Sequence, residues 1–476
     1  MKRSISYILA GIAAVSLTAC EGFLEKAPIL SQSTELTLSS YDGLNKATLG
    51  AYAYFASTGW YGGERVLESE MRSGNGMKSP DRNKHDSNRY ITNYNWNYTA
   101  DATSALWAYG YYMISRANNV IDNLEGKESA DVSEQDLNNL KAECLFCRAY
   151  AHFDMVTLYG QPYTYQKDSP GVPYVFHTES DARPARNTVA EVYDFIVADL
   201  LEAEQIIDPE YVRGGVADPK ACVTIYAIQA LLSRVYLYMG QWQKAADYAT
   251  KVIDSGEFKM WTPSNYVKAW KAETGGDEVI FEAYIGQSNR GNEQCSYMTN
   301  PDGAYGDCLT SNELYDLYAE GDVRKTCFRQ DTDESEGMWW TLKYAGKGLG
   351  APDANNTVLL RLSEMYLNRA EALVNGATIS KATAVSDLNT ITKNRGAESY
   401  SAVGMDAIRT ERRKELAWEG HHFFDMARWG RAVNRAANIQ LTSANQNIPF
   451  PDYRWALPIP KRELEVNPNL EQNDKY

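Results

Sequence analysis

From Tyr226 to Gly256 the chain reads YAIQALLSRVYLYMGQWQKAADYATKVIDSG. Apolar residues recur with a helical period on both sides of Gly240, which predicts two amphipathic helices doubling back at that glycine. Ala230 and Ala245 are small where the helices must approach, and Tyr236, Trp242 and Tyr248 supply the bulk that fills the space between them. The same period predicts helices over Tyr41 to Ala56, Ala102 to Leu124, Glu134 to Leu158, Val189 to Ile207, Lys220 to Met239 and Gln241 to Ser255. Thr188 with Glu191 is a capping box at the head of the fourth, and Gly160 and Gly240 stand just past helix ends.

The pattern changes after Asp277. EVIFEAYIG reads as a strand, and Gly-, Asn- and Asp-rich loops follow to about Asn356. Helical periodicity returns over Leu359 to Asn375, Lys381 to Asn394, Met405 to Glu419 and His421 to Arg428, and the Pro- and Asn-rich end reads as extended. The expected fold is therefore mainly α: a tetratricopeptide-like helical-hairpin scaffold with a loop-rich insert containing short strands. The scaffold covers about 41–260 and 357–430, the insert about 261–356 and the tail about 431–476, all within one domain from 41 to 476. Only the hairpin around Gly240 is a clear repeat unit.

The N-terminus carries a separate signal. Lys2 and Arg3 precede ISYILAGIAAVSL, an apolar run too short to span a bilayer, and the run closes on LTAC. Small residues before a cysteine read as a lipobox, so residues 1–19 are a lipoprotein signal peptide, Cys20 is the lipidated residue and 20–40 is the leader. The plainer alternative is an ordinary secretory signal with an incidental cysteine. Cleavage would remove two basic residues and deepen the formal charge of −15. Of the other six cysteines, Cys295 and Cys308 are the first pair expected to crosslink in an oxidising compartment. Cys144 and Cys147 sit three apart within a helical pattern, as core thiols and not as half of a zinc site.

That negative charge argues against a nucleic-acid partner. The five histidines form no H-E-x-x-H, and adjacent His421 and His422 cannot share a metal from one helix face. Glu411, Glu415 and Glu419 stack on one helix face, the arrangement of a carboxylate metal cage. Arg361, Arg369, Arg409, Arg412, Arg413 and Arg428 lie near enough in sequence to make a structural ion network the preferred reading. Asp331, Asp333 and Ser335 imitate the start of a calcium loop, but Glu336 stands where glycine is required and Leu342 where the bidentate glutamate should be. The turn NPDGAYGD is read as solvated in preference to a looser calcium site. No spacing singles out a catalytic carboxylate pair. No catalytic residue, cofactor or metal is expected.

CEGFLEKAP after the lipobox, RANNVIDNL, LKAECLFCRAYAHFDMVTLYGQPYTY, LLRLSEMYLNRAEAL, LNTITKNRG, IRTERRKELAWEGHHFFDMARWG and ALPIPKRELEVNPNLEQND occur in this order. In that order and spacing they resemble the SusD/RagB family of outer-membrane lipoproteins over nearly the whole chain. One departure is His422, where many members carry arginine, so an altered structural ion pair is expected there. The resemblance implies a non-catalytic, lipid-anchored protein facing the cell exterior. It implies capture of an oligosaccharide, or of a peptide in the RagB branch, and delivery to a SusC-like TonB-dependent transporter. The rival classes are a tetratricopeptide scaffold without a small ligand and a surface hydrolase.

A sugar offers C–H bonds on one face and hydroxyls at its rim, so a site for it supplies aromatic planes beside Asn, Asp, Gln or Arg. The chain has 33 Tyr and 11 Trp, more than a core needs. Three stretches interleave them with polar residues. STGWYGGERVLESEMRSGNG offers Tyr61, SNRYITNYNWNYTAD offers Trp96 and Tyr98, and the insert offers Tyr297, Tyr305, Trp339 and Trp340. By region, Trp96 and the insert aromatics fall where family members place ligand-stacking rings. Trp339 and Trp340 must point to opposite faces of any strand they form. One ring is expected to anchor and the other, Trp340, to face out. Trp107, Trp242, Trp418, Trp429 and Trp455 lie in helices or family motifs and are expected to be structural.

Overall fold

A computed structural model describes residues 34–81, 84–179, 181–286, 294–300, 305–330, 338–347 and 354–476. The signal peptide, Cys20, the leader before residue 34 and the acidic run from Asp331 to Gly337 lie outside the described residues. Helices dominate: α1 (Tyr41–Tyr52), α2 (Glu64–Ser73), α3 (Ser104–Ile121), α4 (Glu134–Tyr159), α5 (Val189–Ile206), α6 (Ile225–Tyr238), α7 (Trp242–Asp254), α8 (Leu362–Val374), α9 (Ala384–Arg395), α10 (Met405–Glu415) and α11 (His422–Arg428). The chain turns between α6 and α7 at Gly240, whose φ of +69° favours glycine. Thr188 and Ser133 each close a capping box. α4 packs between α3 and α5, and α8 joins α7 to α9. Among the described residues, no helix is long and apolar enough to cross a membrane.

The core runs through these helices and takes in the start of the insert. Strand β2 (Val279–Ala283) carries Phe281 into edge-to-face contact with Phe55 at 5.3 Å and Phe146 at 5.2 Å. Cys144 and Cys147 are buried free thiols on α4, and burial pushes Cys144 up to about 12. Cys295 and Cys308 are buried thiols, and the crosslink expected between them is not formed.

Two elements depart from the sequence reading. α2 occupies the stretch read as a ligand loop. Its charges hide its apolar period, yet Arg65, Glu68, Glu70 and Arg72 are buried and partnered: Arg65 pairs with Asp154 at 2.8 Å and Arg72 with Glu68 at 2.9 Å. The helix expected from Leu359 instead starts at Leu362, because Thr357–Arg361 is a buried strand paired antiparallel with β2. A short apolar run is compatible with either state, and the partner strand decides.

Glu70 shows how α2 is held. Its carboxylate oxygens accept from Gly420 N and Asn75 Nδ2, both at 2.9 Å, and burial raises its pKa to about 7. A carboxyl whose folded pKa exceeds its unfolded value loses stability as pH rises between about 4.5 and 7. Glu70→Gln is expected to remove that slope and gain on the order of 2–3 kcal/mol on wild type between pH 4.5 and pH 8. Urea unfolding at both pH values tests this, and parallel stability profiles would refute it.

The three stacked glutamates lie in a buried ion network. Glu415 meets Arg361 at 2.5 Å, Arg395 at 2.7 Å and Arg324 at 2.9 Å. Glu419 meets Arg361 and Lys343, Glu411 meets Arg324, and Glu278 meets Arg361 and Arg395. Every carboxylate is claimed by a cation, as buried charge requires. Of the arginines expected there, only Arg361 takes part. Arg412 serves Asp425, Arg428 serves Glu371 and Asp425, Arg369 serves Asp387, Arg409 serves Asp406, and Arg413 holds Asn75 and the Gly74 carbonyl. Arg324, Lys343 and Glu278 belong to the insert, so the network bolts it to the C-terminal helices. His422 is held well below its ordinary pKa by burial and by Arg413 and Arg412, so it supplies no cation. The tail, read as extended, is interrupted by short helical turns at Ser443–Gln446, Tyr453–Trp455 and Lys461–Val466 and by the pairing of Val433–Asn434 with Asn447–Ile448, and Leu457 N donates to Leu158 O at the end of α4.

Candidate functional site

The insert contributes three strands to a four-stranded antiparallel sheet whose edge, Gly76–Met77, follows α2. Strands β1 (Gly76–Met77), β3 (Leu309–Thr310), β4 (Phe328–Gln330) and β5 (Trp339–Thr341) lie in the order β1-β3-β5-β4. Trp339 and Trp340 point to opposite faces of β5, as their adjacency demands. Their exposure is the reverse of expectation. Trp340 is fully buried among Leu309 and Met338, and its Nε1 donates to Gly306 O at 3.0 Å. Trp339 is half-buried and stacks on Tyr315, with centroids 3.6 Å apart and planes 14° apart.

Other expected stacking planes are also consumed by the fold. Trp96 ends the short helix Ile91–Asn95 and packs against Phe423 at 5.5 Å, Trp455 at 5.2 Å and the Arg72 guanidinium at 4.6 Å. Its Nε1 donates to Arg72 O. Tyr98 donates to Glu68, and Tyr61 lies within bonding distance of Tyr150 and Asp154. All three are buried, so none offers a face to a ligand. The reason is common to them: each ring packs against a buried arginine of α2, Tyr61 against Arg65 and Trp96 and Tyr98 against Arg72.

Tyr297 and Tyr305 are placed differently. Tyr305 is 48% exposed. The Arg89 guanidinium lies 3.6 Å from its ring centroid, and half-buried Tyr297 flanks it at 6.3 Å. The carbonyls of Tyr305, Gly306 and Asp307 are each held by a side chain. His85 Nδ1 meets Tyr305 O at 3.1 Å, Trp340 holds Gly306 O, and the buried Lys78 amine donates at 3.0 Å to Asp307 O and Arg89 O. The Asp307 carboxylate accepts from Ser87 and Arg89. Two loops are thereby fastened into one aromatic and polar platform, with the Arg89 side chain 44% exposed.

Beyond Lys78, a cleft of about 270 Å³ opens along β1, bounded by Met77, Tyr94, Glu313, Arg435 and Asn438. Asn438 donates to Lys78 O and ties this cleft to the platform. Arg435 donates to the carbonyls of Tyr94 and Asn445. Burial lowers it to about 10, with Tyr94 and Tyr98 opposing the shift. Arg89, His85, Lys78 and Arg435 were not singled out in the sequence, and Asp307 entered only as the end of the turn NPDGAYGD, read as solvated, whereas its carboxylate is buried and held by Ser87 and Arg89. Arg89 and His85 stand in or just before a stretch read for its aromatics and the asparagines between them; Lys78 and Arg435 carry no local pattern. Among the described residues the arrangement provides an exposed ring with hydrogen-bond donors and acceptors at its rim.

Two family models match the chain: one described as starch-binding associating with outer membrane, over residues 22–237, and one described as the SusD family, over residues 329–476. A SusD-like protein of Formosa agariphila is 25% identical across 99% of this chain and 99% of its own. The starch-binding protein SusD of Bacteroides thetaiotaomicron is 22% identical, with 81% of each chain covered. A SusD superfamily protein of Bacteroides vulgatus superposes with a TM-score of 0.83 at 30% identity, covering 92% of this chain and 99% of that one. Surface glycan-binding protein A of Bacteroides thetaiotaomicron, solved in complex with laminarihexaose, shares the fold with a TM-score of 0.72 at 20% identity, covering 90% and 98%.

Proposed function

This chain belongs to the SusD family, whose members bind glycans without transforming them, and we propose that it holds an oligosaccharide on the Tyr305 platform. The observation that supports the reading is the Tyr305 ring itself. Much of it is exposed, it packs against a cation, and its carbonyl and both following carbonyls are fixed by His85, Trp340 and Lys78. A sugar ring stacks on the exposed aromatic surface, while Arg89 and Tyr297 address its hydroxyls. Trp339 stacks one face on Tyr315 and is left out of the platform.

Names of relatives extend the reading. One similar chain is called starch-binding, and another was solved with laminarihexaose. The protein works at the outer membrane, held by lipid on Cys20 and facing outward, and passes its glycan to a SusC-like TonB-dependent transporter. Tyr305→Ala is expected to weaken retention in native gels containing amylopectin or laminarin by about tenfold, the loss of one stacking plane. Its melting temperature should stay at the wild-type value, since the ring is exposed. Unchanged mobility on every polysaccharide that retards wild type would sink the assignment.

A further inference from the structure

A second cleft, of about 330 Å³, lies between the turn after α4 and the end of the chain, and shares no lining residue with the platform or the cleft along β1. Tyr165, 41% exposed, rises on one side with its edge against Phe450 at 5.2 Å. Half-buried Tyr453 stands on the other, braced edge-on by Tyr476 at 5.1 Å. Between them the rim carries the exposed side chains of Gln166, Asp474 and Lys475. Lys475 holds a φ of +68°, a conformation uncommon for a residue with a side chain, and its ammonium lies 5.5 Å from the Tyr453 ring.

The walls are rigid. Gln161 donates to Tyr453 O, Arg186 donates to Pro170 O and to Asn473 Oδ1 at 2.8 Å each, and Asn473 donates to Tyr159 O at 2.9 Å. The terminal segment is therefore stitched to the scaffold by side chains that are already spent, while Gln166 and Asp474 are exposed at the mouth and the Lys475 ammonium lies against Tyr453. Cations and carboxylates both line the cleft (Arg186 and Lys475 against Asp452 and Asp474), which gives it no strong preference for a charged guest. Two aromatic planes with an amide, a carboxylate and an ammonium beside them match an uncharged sugar: C–H faces against rings and hydroxyls against both donors and acceptors.

We propose that this cleft is a second carbohydrate subsite, taking one or two neutral sugar units through Tyr165 and Tyr453, with Gln166 and Asp474 on their hydroxyls. The inference rests on the reading of the protein as a glycan binder. Its consequence is bivalency: a long polysaccharide that reaches both sites is retained more strongly than a short one that fills either.

The test compares wild type, Tyr165→Ala with Gln166→Ala, Tyr305→Ala, and all three changes together. Native gels carry amylopectin or laminarin, and calorimetry uses maltoheptaose or laminarihexaose. The expected result is about two oligosaccharides bound per wild-type chain and about one for either partial variant, with an approximately tenfold loss of polysaccharide retention in the Tyr165 variant. Tyr165→Phe should restore retention, and every variant should melt like wild type. If the Tyr165 and Gln166 changes alter neither stoichiometry nor retention, or if Tyr305→Ala alone abolishes both, the second subsite is refuted and the platform stands. Loss confined to the Tyr165 variant refutes the platform instead, and a wild type that binds none of the four probes overturns both.

Discussion

Replacing Glu415 with alanine is expected to lower the unfolding free energy by about 3–5 kcal/mol, the cost of removing one partner from a buried ion pair. The carboxylate is fully enclosed and meets three guanidiniums, those of Arg361, Arg395 and Arg324. Its removal leaves these cations with Glu278, Glu411, Glu419 and Asp322, each of which is already engaged. Burial opposes ionisation of Glu415, but Arg395, Arg361 and Arg324 outweigh it and hold the pKa well below the usual range. A depressed folded-state pKa means the contribution is present above the pKa of a free glutamate and is lost as pH falls through the folded value. Urea unfolding should therefore show the variant far weaker at pH 7, with the gap narrowing in acid. A loss under about 1 kcal/mol at pH 7 would mean that the neighbouring carboxylates can neutralise the site unaided.

Trp96→Ala is expected to cost about 3–5 kcal/mol, the range for emptying a buried aromatic site. The ring fills the space between Phe423 and Trp455 and covers the Arg72 guanidinium, so the cavity would expose a buried charge as well as lose contacts. Polysaccharide retention per folded molecule should stay near wild type. Tyr305→Ala should show the opposite pattern, with stability kept and retention lost. A Trp96→Ala protein that melts like wild type and no longer binds would return that ring to the ligand site.

The contrast between these two aromatics shows what the sequence could reveal. Helices with a strong period were readable, and α4, α5 and the α6–α7 hairpin lie within a few residues of their expected bounds. α2 was not, because its buried face is charged and the partners that make this tolerable, such as Asp154, lie far along the chain. The aromatic loops posed a related problem. Composition shows that Trp96, Tyr98, Trp340 and Tyr305 are rings beside polar groups; it does not show whether the polar neighbour is a ligand's or the protein's own. Tertiary packing turned three of them inward and left Tyr305 out. The glutamate ladder was legible as an ion network, yet two of its three Glu415 partners, Arg324 and Arg395, were not, since helix spacing says nothing of what crosses from another element.

That network has a consequence for the order in which the chain can mature. Its acids and bases are scattered from Glu278 to Glu419, so the unit is closed only by the last third of the polypeptide. Contacts this distant in sequence form late, because loop-closure entropy opposes them until neighbouring elements have docked. A chain ending before α10 would hold Arg324, Arg361 and Arg395 with Glu278 and Asp322 as their only acids from this cluster. The insert would then lack its anchor to the C-terminal helices. The platform on which Tyr305 stands is thus completed only after the C-terminal helices dock, and a fragment carrying the insert alone would hold its aromatics without the frame that positions them.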